Sequence, residues 1–217
     1  MQYSVFIIFC QIEAMLGNLE HELRRKLFHL TSVIIPVIYI FVAKIWMVLI
    51  MMIIAFTTSS LDTTRHYNTK IQALVDKFLS QFMRDREKSG TFVLSGASYM
   101  MSSFFLVILF FSKGLAIASM LVLIVADASA AIVGTRIGIP MDNGKSIAGS
   151  VAFLVSAIMI STLSHTVVYY KANFFIIILA SLIATLAEYY ASLIKMNDNL
   201  TIPLVFAISV TFFAWFL

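Results

Sequence analysis

The amino-acid sequence predicts an all-α fold: a polytopic transmembrane helical bundle of about seven spans, with room for a short N-terminal helix. Three observations predict it. Of 217 residues, 61% are apolar and only 12% charged, and the mean hydropathy is +0.97. A soluble domain is about 45–50% apolar and about 25% charged. The apolar residues fall in long runs, and most of the charge lies in short segments between them. Cys10 is the single cysteine, which excludes an intrachain disulfide scaffold and zinc sites built on cysteine pairs. The formal charge of +4 is not gathered on a soluble basic face, so nucleic acid is not an expected partner.

A helix crossing the hydrocarbon core needs about 20 mostly apolar residues. That measure yields spans at 27–43, 45–60, 91–111, 115–133, 147–170, 174–194 and 200–217. The first two are short and separated only around Lys44, as in a tight helical hairpin. The stretch 3–16 is apolar but interrupted by Gln11 and Glu13. At about 1.5 Å per residue it reaches only about 21 Å, which suits an interfacial helix or a tilted extra span. It lacks the basic start and A-x-A site of a cleaved signal peptide. Residues 1–19 are therefore read as this helix, and 20–217 as one membrane-embedded domain.

The basic residues orient the bundle. Twelve lysines and arginines precede the first span or fall in alternate loops, among them Arg24, Arg25, Lys26, Arg65, Arg84, Arg136, Lys145 and Lys195. Only Lys44, Lys113 and Lys171 fall on the other side. The positive-inside rule then places the N-terminal segment and the long loops in the cytoplasm. On that side the glycosylation pattern Asn199-Leu200-Thr201 stays unused. Residues 61–90 form the one sizeable polar stretch. Within it Ile71, Leu74, Val75, Phe78, Leu79 and Phe82 recur at helical spacing, an amphipathic helix along the headgroups.

Carboxylates inside membrane helices are costly and mark functional sites. Asp127 and Glu188 both lie toward the cytoplasmic ends of their spans. Asp127 shares a face with Ala130, Ala131 and Gly134, a small-residue strip that admits a backbone or a ligand. The glycines of Gly134-x-x-x-Gly138 equally suit plain helix packing. Glu188 continues a polar stripe of Ser181, Thr185 and Ser192, facing the bundle interior or a wet cavity; pairing with an arginine would also explain it.

The loop ending Gly144-Lys145-Ser146, followed by Gly149, is not a P-loop: the first required glycine would be residue 139, which is Ile, and no strand precedes it. Its glycines, lysine and helix start nonetheless suit an anion such as phosphate, as they suit an ordinary turn. The run from His21 to His29 enters the first span, and its Arg24, Arg25 and Lys26 also suit anionic headgroups. Asn197-Asp198-Asn199, before Pro203, suits hard-cation ligation or a turn.

In order along the chain stand Arg25-Lys26-x-x-His29, Asp127-Ala128-x-Ala130-x-x-x-Gly134-x-x-x-Gly138, Gly144-Lys145-Ser146-x-Ala148-Gly149-Ser150 and Asp198-Asn199-x-x-x-Pro203. This ordered set resembles the CTP-dependent lipid kinase family: dolichol kinases, phytol kinases and the yeast-type CTP-dependent diacylglycerol kinase. The match covers about residues 20–203. The resemblance implies a multi-pass enzyme that transfers the γ-phosphate of CTP to a membrane lipid alcohol with Mg²⁺ or a similar divalent cation. Its host is the cell membrane of a prokaryote or the endoplasmic reticulum of a eukaryote. By motif position, Arg25, Lys26, Asp127 and Gly134 would be critical. Dolichol kinases typically carry Glu where this chain has Ala148, which points toward the phytol or diacylglycerol branch and leaves the acceptor open.

On phosphoryl-transfer logic, Asp127 with Asp198 or Glu188 would hold the metal. Arg25, Lys26 and Lys145 would neutralise phosphate oxygens, and Gly134, Gly138, Gly144, Ser146 and Gly149 would line the nucleotide loop. A carboxylate or His29 would take the acceptor's proton. Two competing readings are a CTP:lipid-phosphate cytidylyltransferase and a small transporter. The first usually carries an Asp- and Gly/His-rich C-terminal signature, which this sequence lacks. The second would place its acids near the bilayer midplane.

Overall fold

Long apolar runs satisfy their own backbone hydrogen bonds most simply as helices, and that is how this chain folds. The computed structural model describes residues 25–26, 29–79, 94–139, 141, 144–191, 193–194 and 196–217, with no strand among them. In order these are α1 (Ile34–Phe41), α2 (Lys44–Arg65), α3 (Thr69–Leu79), α4 (Gly96–Phe110), α5 (Lys113–Leu121), a π-helical turn (Val122–Ala126), α6 (Asp127–Ile137), α7 (Ile147–Val167), α8 (Phe174–Tyr190) and α9 (Asp198–Phe216). A helical turn at 29–31 precedes α1. The expected helix at 3–16, and with it the proposed 1–19 segment, lies outside the described residues.

Four helices have the length and apolarity of a membrane span: Lys44–Arg65, Lys113–Ile137, Ile147–Val167 and Asp198–Phe216. They are those of a membrane protein. The other three expected spans correspond to shorter apolar helices, His29–Phe41, Gly96–Phe110 and Phe174–Tyr190. Length alone therefore supports four spans among the described residues rather than seven.

Several boundaries differ from the sequence expectation for local reasons. The second helix begins at Lys44 and runs on to Arg65, past Ser60, because Asp62 and Arg65 are buried against the start of α4. Helix α4 begins at Gly96, where the Ser95 side chain accepts a hydrogen bond from the Ser98 N–H. Helix α9 begins two residues early, at Asp198, capped by Asn197.

The helix running from α5 through the π turn to α6 is the hub. It packs against α1, α4, α7 and α9, while α8 fits between α7 and α9, and α2 lies on α4. Its residues Ile117, Met120, Leu123 and Ile124 are buried with Tyr39, Phe104, Phe153 and Phe206. The outer helices keep one apolar face outward, as Ile45, Leu49, Met52, Ile53 and Phe56 do on α2.

Contacts separate into two ends. At one end Lys44 donates to the Phe111 carbonyl at 2.8 Å, and Lys113 donates to those of Ile40 and Val42, each at 2.9 Å. Basic side chains thus close helix C-termini whose last carbonyls have no helical partner. A Cβ on Gly114 would collide with the backbone carbonyl of Tyr169, so the α7–α8 turn seats on a glycine. The opposite end collects the buried acids and their lysines.

Candidate active site

The site is assembled from five separate places in the chain. Lys26, six per cent exposed, precedes the first helix and pairs its ammonium with Asp127 Oδ2. Asp127 opens α6, directly after the π turn, and is two per cent exposed. π turns inside α-helices often coincide with functional sites. His29 brings Nδ1 to 3.9 Å from the same Asp127 oxygen. Arg25, half-buried, lies within electrostatic reach of His29.

A second pair lies alongside. Lys145, in the loop before α7, pairs with Glu188 Oε1 and stands 3.6 Å from Asp198 Oδ2. Asp198 and Lys145 are within electrostatic reach of Asp127, so the two groups form one basin. Burial presses the Lys145 amine down, but Asp198 and Glu188 outweigh it and hold it above 10.5. It is a fixed cation at any physiological pH.

The polar stripe on α8 faces inward as expected: Ser181, Thr185 and Glu188 are all buried. Among the described residues Glu188 Oε2 and Ser181 Oγ have no hydrogen-bond partner. Glu188 pairs with a lysine rather than an arginine. Ser192 lies outside the described residues.

Three of the glycines expected to line a nucleotide loop are closely packed in the structure. A Cβ on Gly134 would lie 2.9 Å from Ser146 Oγ, and one on Gly149 2.9 Å from the Ala130 carbonyl oxygen. A Cβ on Gly138 would overlap the Ser146 side chain. These three positions are filled by the crossing of α6 and α7, which is the plain packing reading of that strip. Ser146 is buried and caps α7 by accepting the Gly149 N–H at 3.1 Å. Gly144, at φ 75°, makes the turn from Met141 to Lys145. Of the expected loop, Lys145 is the residue that reaches the acids.

The Asn197-Asp198-Asn199 cluster also divides its work. Asn197 accepts the Asn199 N–H at 3.0 Å as the cap of α9, and Asn199 donates to the Gly96 carbonyl at 2.9 Å. Only Asp198 turns into the basin. The expected metal set of Asp127, Glu188 and Asp198 does not converge on one point: among the described residues no three acid, His or Cys side chains are placed to hold a metal ion. Asp127 belongs with Lys26 and His29, while Glu188 and Asp198 face the Lys145 ammonium.

Sequence reasoning missed Asp62. Its Oδ2 accepts from the Ser95 N–H at 2.8 Å, the Ser95 hydroxyl at 2.6 Å and the Ser98 hydroxyl, while Oδ1 pairs with Arg65 Nε at 3.2 Å. The signal was present in the i, i+3 pair Asp62–Arg65 and in Ser95-x-x-Ser98, but ending the helix at Ser60 hid it.

No protein-family model and no solved structure matches this chain. Uncharacterized protein RP860 from Rickettsia prowazekii (strain Madrid E) is 44% identical over 200 residues, covering 92% of this chain and 98% of that protein. Likeness of that extent, running through every segment that builds the basin, makes this chain a member of the same family as RP860.

Proposed function

We propose that this protein is an integral membrane kinase that transfers the γ-phosphate of CTP to a lipid alcohol at the cytoplasmic face. The observation that carries the reading is the joining of Lys26, Asp127, Lys145, Glu188 and Asp198, distant in sequence, in one buried basin at one end of the bundle. Buried charges are retained where they are paired and put to use. Two lysines beside three carboxylates suit a triphosphate and its cation. A membrane transporter would more typically place such groups at the midplane.

The proposal includes seven spans, with the three shorter apolar helices crossing beside the four long ones. Exposed aromatic residues support it, since Trp and Tyr favour membrane interfaces. Trp46, Tyr169 and Trp215 lie at the end away from the basin, and Tyr67 and Tyr190 at the basin end. The lysine and arginine bias supports a basin end that faces inside.

A divalent cation fits the donor chemistry. Mg²⁺ is commonly held by one or two carboxylates together with substrate phosphates. Glu188 and Asp198 supply such a pair, and Glu188 Oε2 is a buried oxygen with no partner. When bound, the ion would offset charge on the β- and γ-phosphates. Lys26 and Lys145 would turn from carboxylates to phosphate oxygens. Asp127 would orient Lys26, and the first N–H groups of α7 would face the nucleotide. The alcohol would enter from the inner leaflet.

The test is transfer of label in nanodiscs containing phytol, dolichol or dioleoylglycerol. CTP labelled at the γ-phosphate should pass its label to one of these alcohols; transfer from the α-phosphate alone would mean a cytidylyltransferase. Asp127→Ala should abolish transfer while the protein remains inserted. Substrate uptake by proteoliposomes without CTP would instead favour a transporter.

A further inference from the structure

We propose that His29 is the catalytic base that takes the proton of the lipid hydroxyl, an assignment that rests on the kinase reading. The imidazole is nine-tenths buried, and among the described residues neither of its ring nitrogens has a hydrogen-bond partner. Buried polar groups in native proteins are nearly always partnered, so an imidazole left bare within a polar basin points to a partner that arrives with the substrate. The surrounding geometry says which partner fits. Nδ1 faces Asp127 Oδ2 at 3.9 Å, which favours the tautomer protonated on that nitrogen and leaves Nε2 as a lone-pair acceptor. An acceptor-only nitrogen calls for a donor, and an alcohol O–H is one.

The other candidate bases are engaged. Asp127 Oδ2 holds the Lys26 ammonium, and Glu188 Oε1 holds that of Lys145. The other oxygen of Glu188 is the one that, with Asp198, would serve the cation in the kinase reading. His29 opens a short apolar helix whose outer face is exposed. Its helix buries Ser32, Pro36 and Tyr39 on one face and exposes Val33, Ile34, Val37 and Ile38 on the other. Its backbone is fixed by Ser32, whose hydroxyl donates to the His29 carbonyl at 2.6 Å. An alcohol dissolved in the leaflet would pass only the edge of this helix to reach the ring.

The step balances. The hydroxyl proton moves to Nε2 as the oxygen forms its bond to the γ-phosphorus. The bond from that phosphorus to the bridging oxygen breaks, and its electron pair leaves with CDP. The imidazolium stands beside Asp127 until its proton passes to water at the cytosolic opening.

His29→Gln should bind CTP like the parent in a filter-retention assay, yet lose about 10²–10⁴-fold in γ-label transfer. Added imidazole should restore part of the rate to His29→Ala, which a packing role does not predict. Transfer by His29→Gln at a rate near the parent's would overturn the assignment while leaving the kinase reading standing. If the parent itself moves no γ-label, that reading fails, and a second measurement still decides the role of His29. The chain has four histidines, so ¹⁵N-histidine spectra in nanodiscs can be assigned with His29→Gln. Addition of phytol, dolichol or dioleoylglycerol should shift the His29 ring nitrogens; no shift with any of the three would overturn the inference.

Discussion

Asp127 is a carboxylate in the most deeply buried helix of the bundle, and Lys26 is what makes its burial tolerable. Removing one member of a buried pair leaves an uncompensated charge and costs about 3–5 kcal/mol, whereas replacing both with apolar residues is often neutral. Lys26→Met should therefore lower the melting temperature in detergent substantially, and Lys26→Met with Asp127→Leu should recover most of the loss. If the pair serves catalysis, the double variant regains stability and no phosphoryl transfer. Lys145 behaves differently because its ammonium faces two carboxylates. Its folded-state pKa is raised, so its contribution to stability is complete below 10.5 and disappears as pH climbs through the raised value. Thermal scans above pH 10.5 should show the parent weakening, while Lys145→Met shows no such loss over that interval.

At the scale of helices, two devices hold the basin together. One is the α6–α7 crossing on glycine. Gly149→Ala brings a methyl group to 2.9 Å from the Ala130 carbonyl, so the helices must part and Lys145 must shift with α7. A lower melting temperature together with weaker CTP retention is expected; an unchanged melting temperature would refute tight packing at this crossing. The other device is the Asp62 network, which satisfies the start of α4 and buries Arg65. Because Asn199 donates to Gly96, this network also steadies the start of α9 beside Asp198. Asp62→Ala leaves Arg65 buried without that carboxylate and should cost about 3–5 kcal/mol. Ser95→Ala removes the cap of α4 and one of the donors to Asp62 but leaves the Ser95 N–H and the Ser98 hydroxyl on that carboxylate, and should cost about 2 kcal/mol. Chemical denaturation of the two variants would rank them in that order.

For the whole molecule the issue is topology. The proposed seven crossings would put Tyr67 inside and Tyr169 outside. In a Cys10→Ser background, Tyr67→Cys should react with an impermeant maleimide only from the cytoplasmic side, and Tyr169→Cys only from the opposite side. Labelling of both from one side would sink the seven-span arrangement. The same alternation gathers the basic loops, the acids and the helix starts of α4, α7 and α9 at one end. The site is therefore a product of connectivity as much as of residue type.

Sequence by itself determined that this is an all-helical membrane protein, where the apolar runs lie, and that Asp127 and Glu188 face inward. Each of these follows from local hydrophobicity or from the high cost of exposing a carboxylate to hydrocarbon. The π turn escaped notice because residues 120–126 are an unbroken apolar run, leaving no periodicity to break. Only the tertiary structure decided which lysine serves which acid, since Lys26 and Asp127 stand 101 residues apart and Lys145 and Glu188 stand 43 apart. It also decided that Gly134, Gly138 and Gly149 sit where α6 crosses α7 and that Asp62 secures α4. A glycine or a lysine carries no record of its neighbour in its own spacing; that neighbour exists only once the helices have packed.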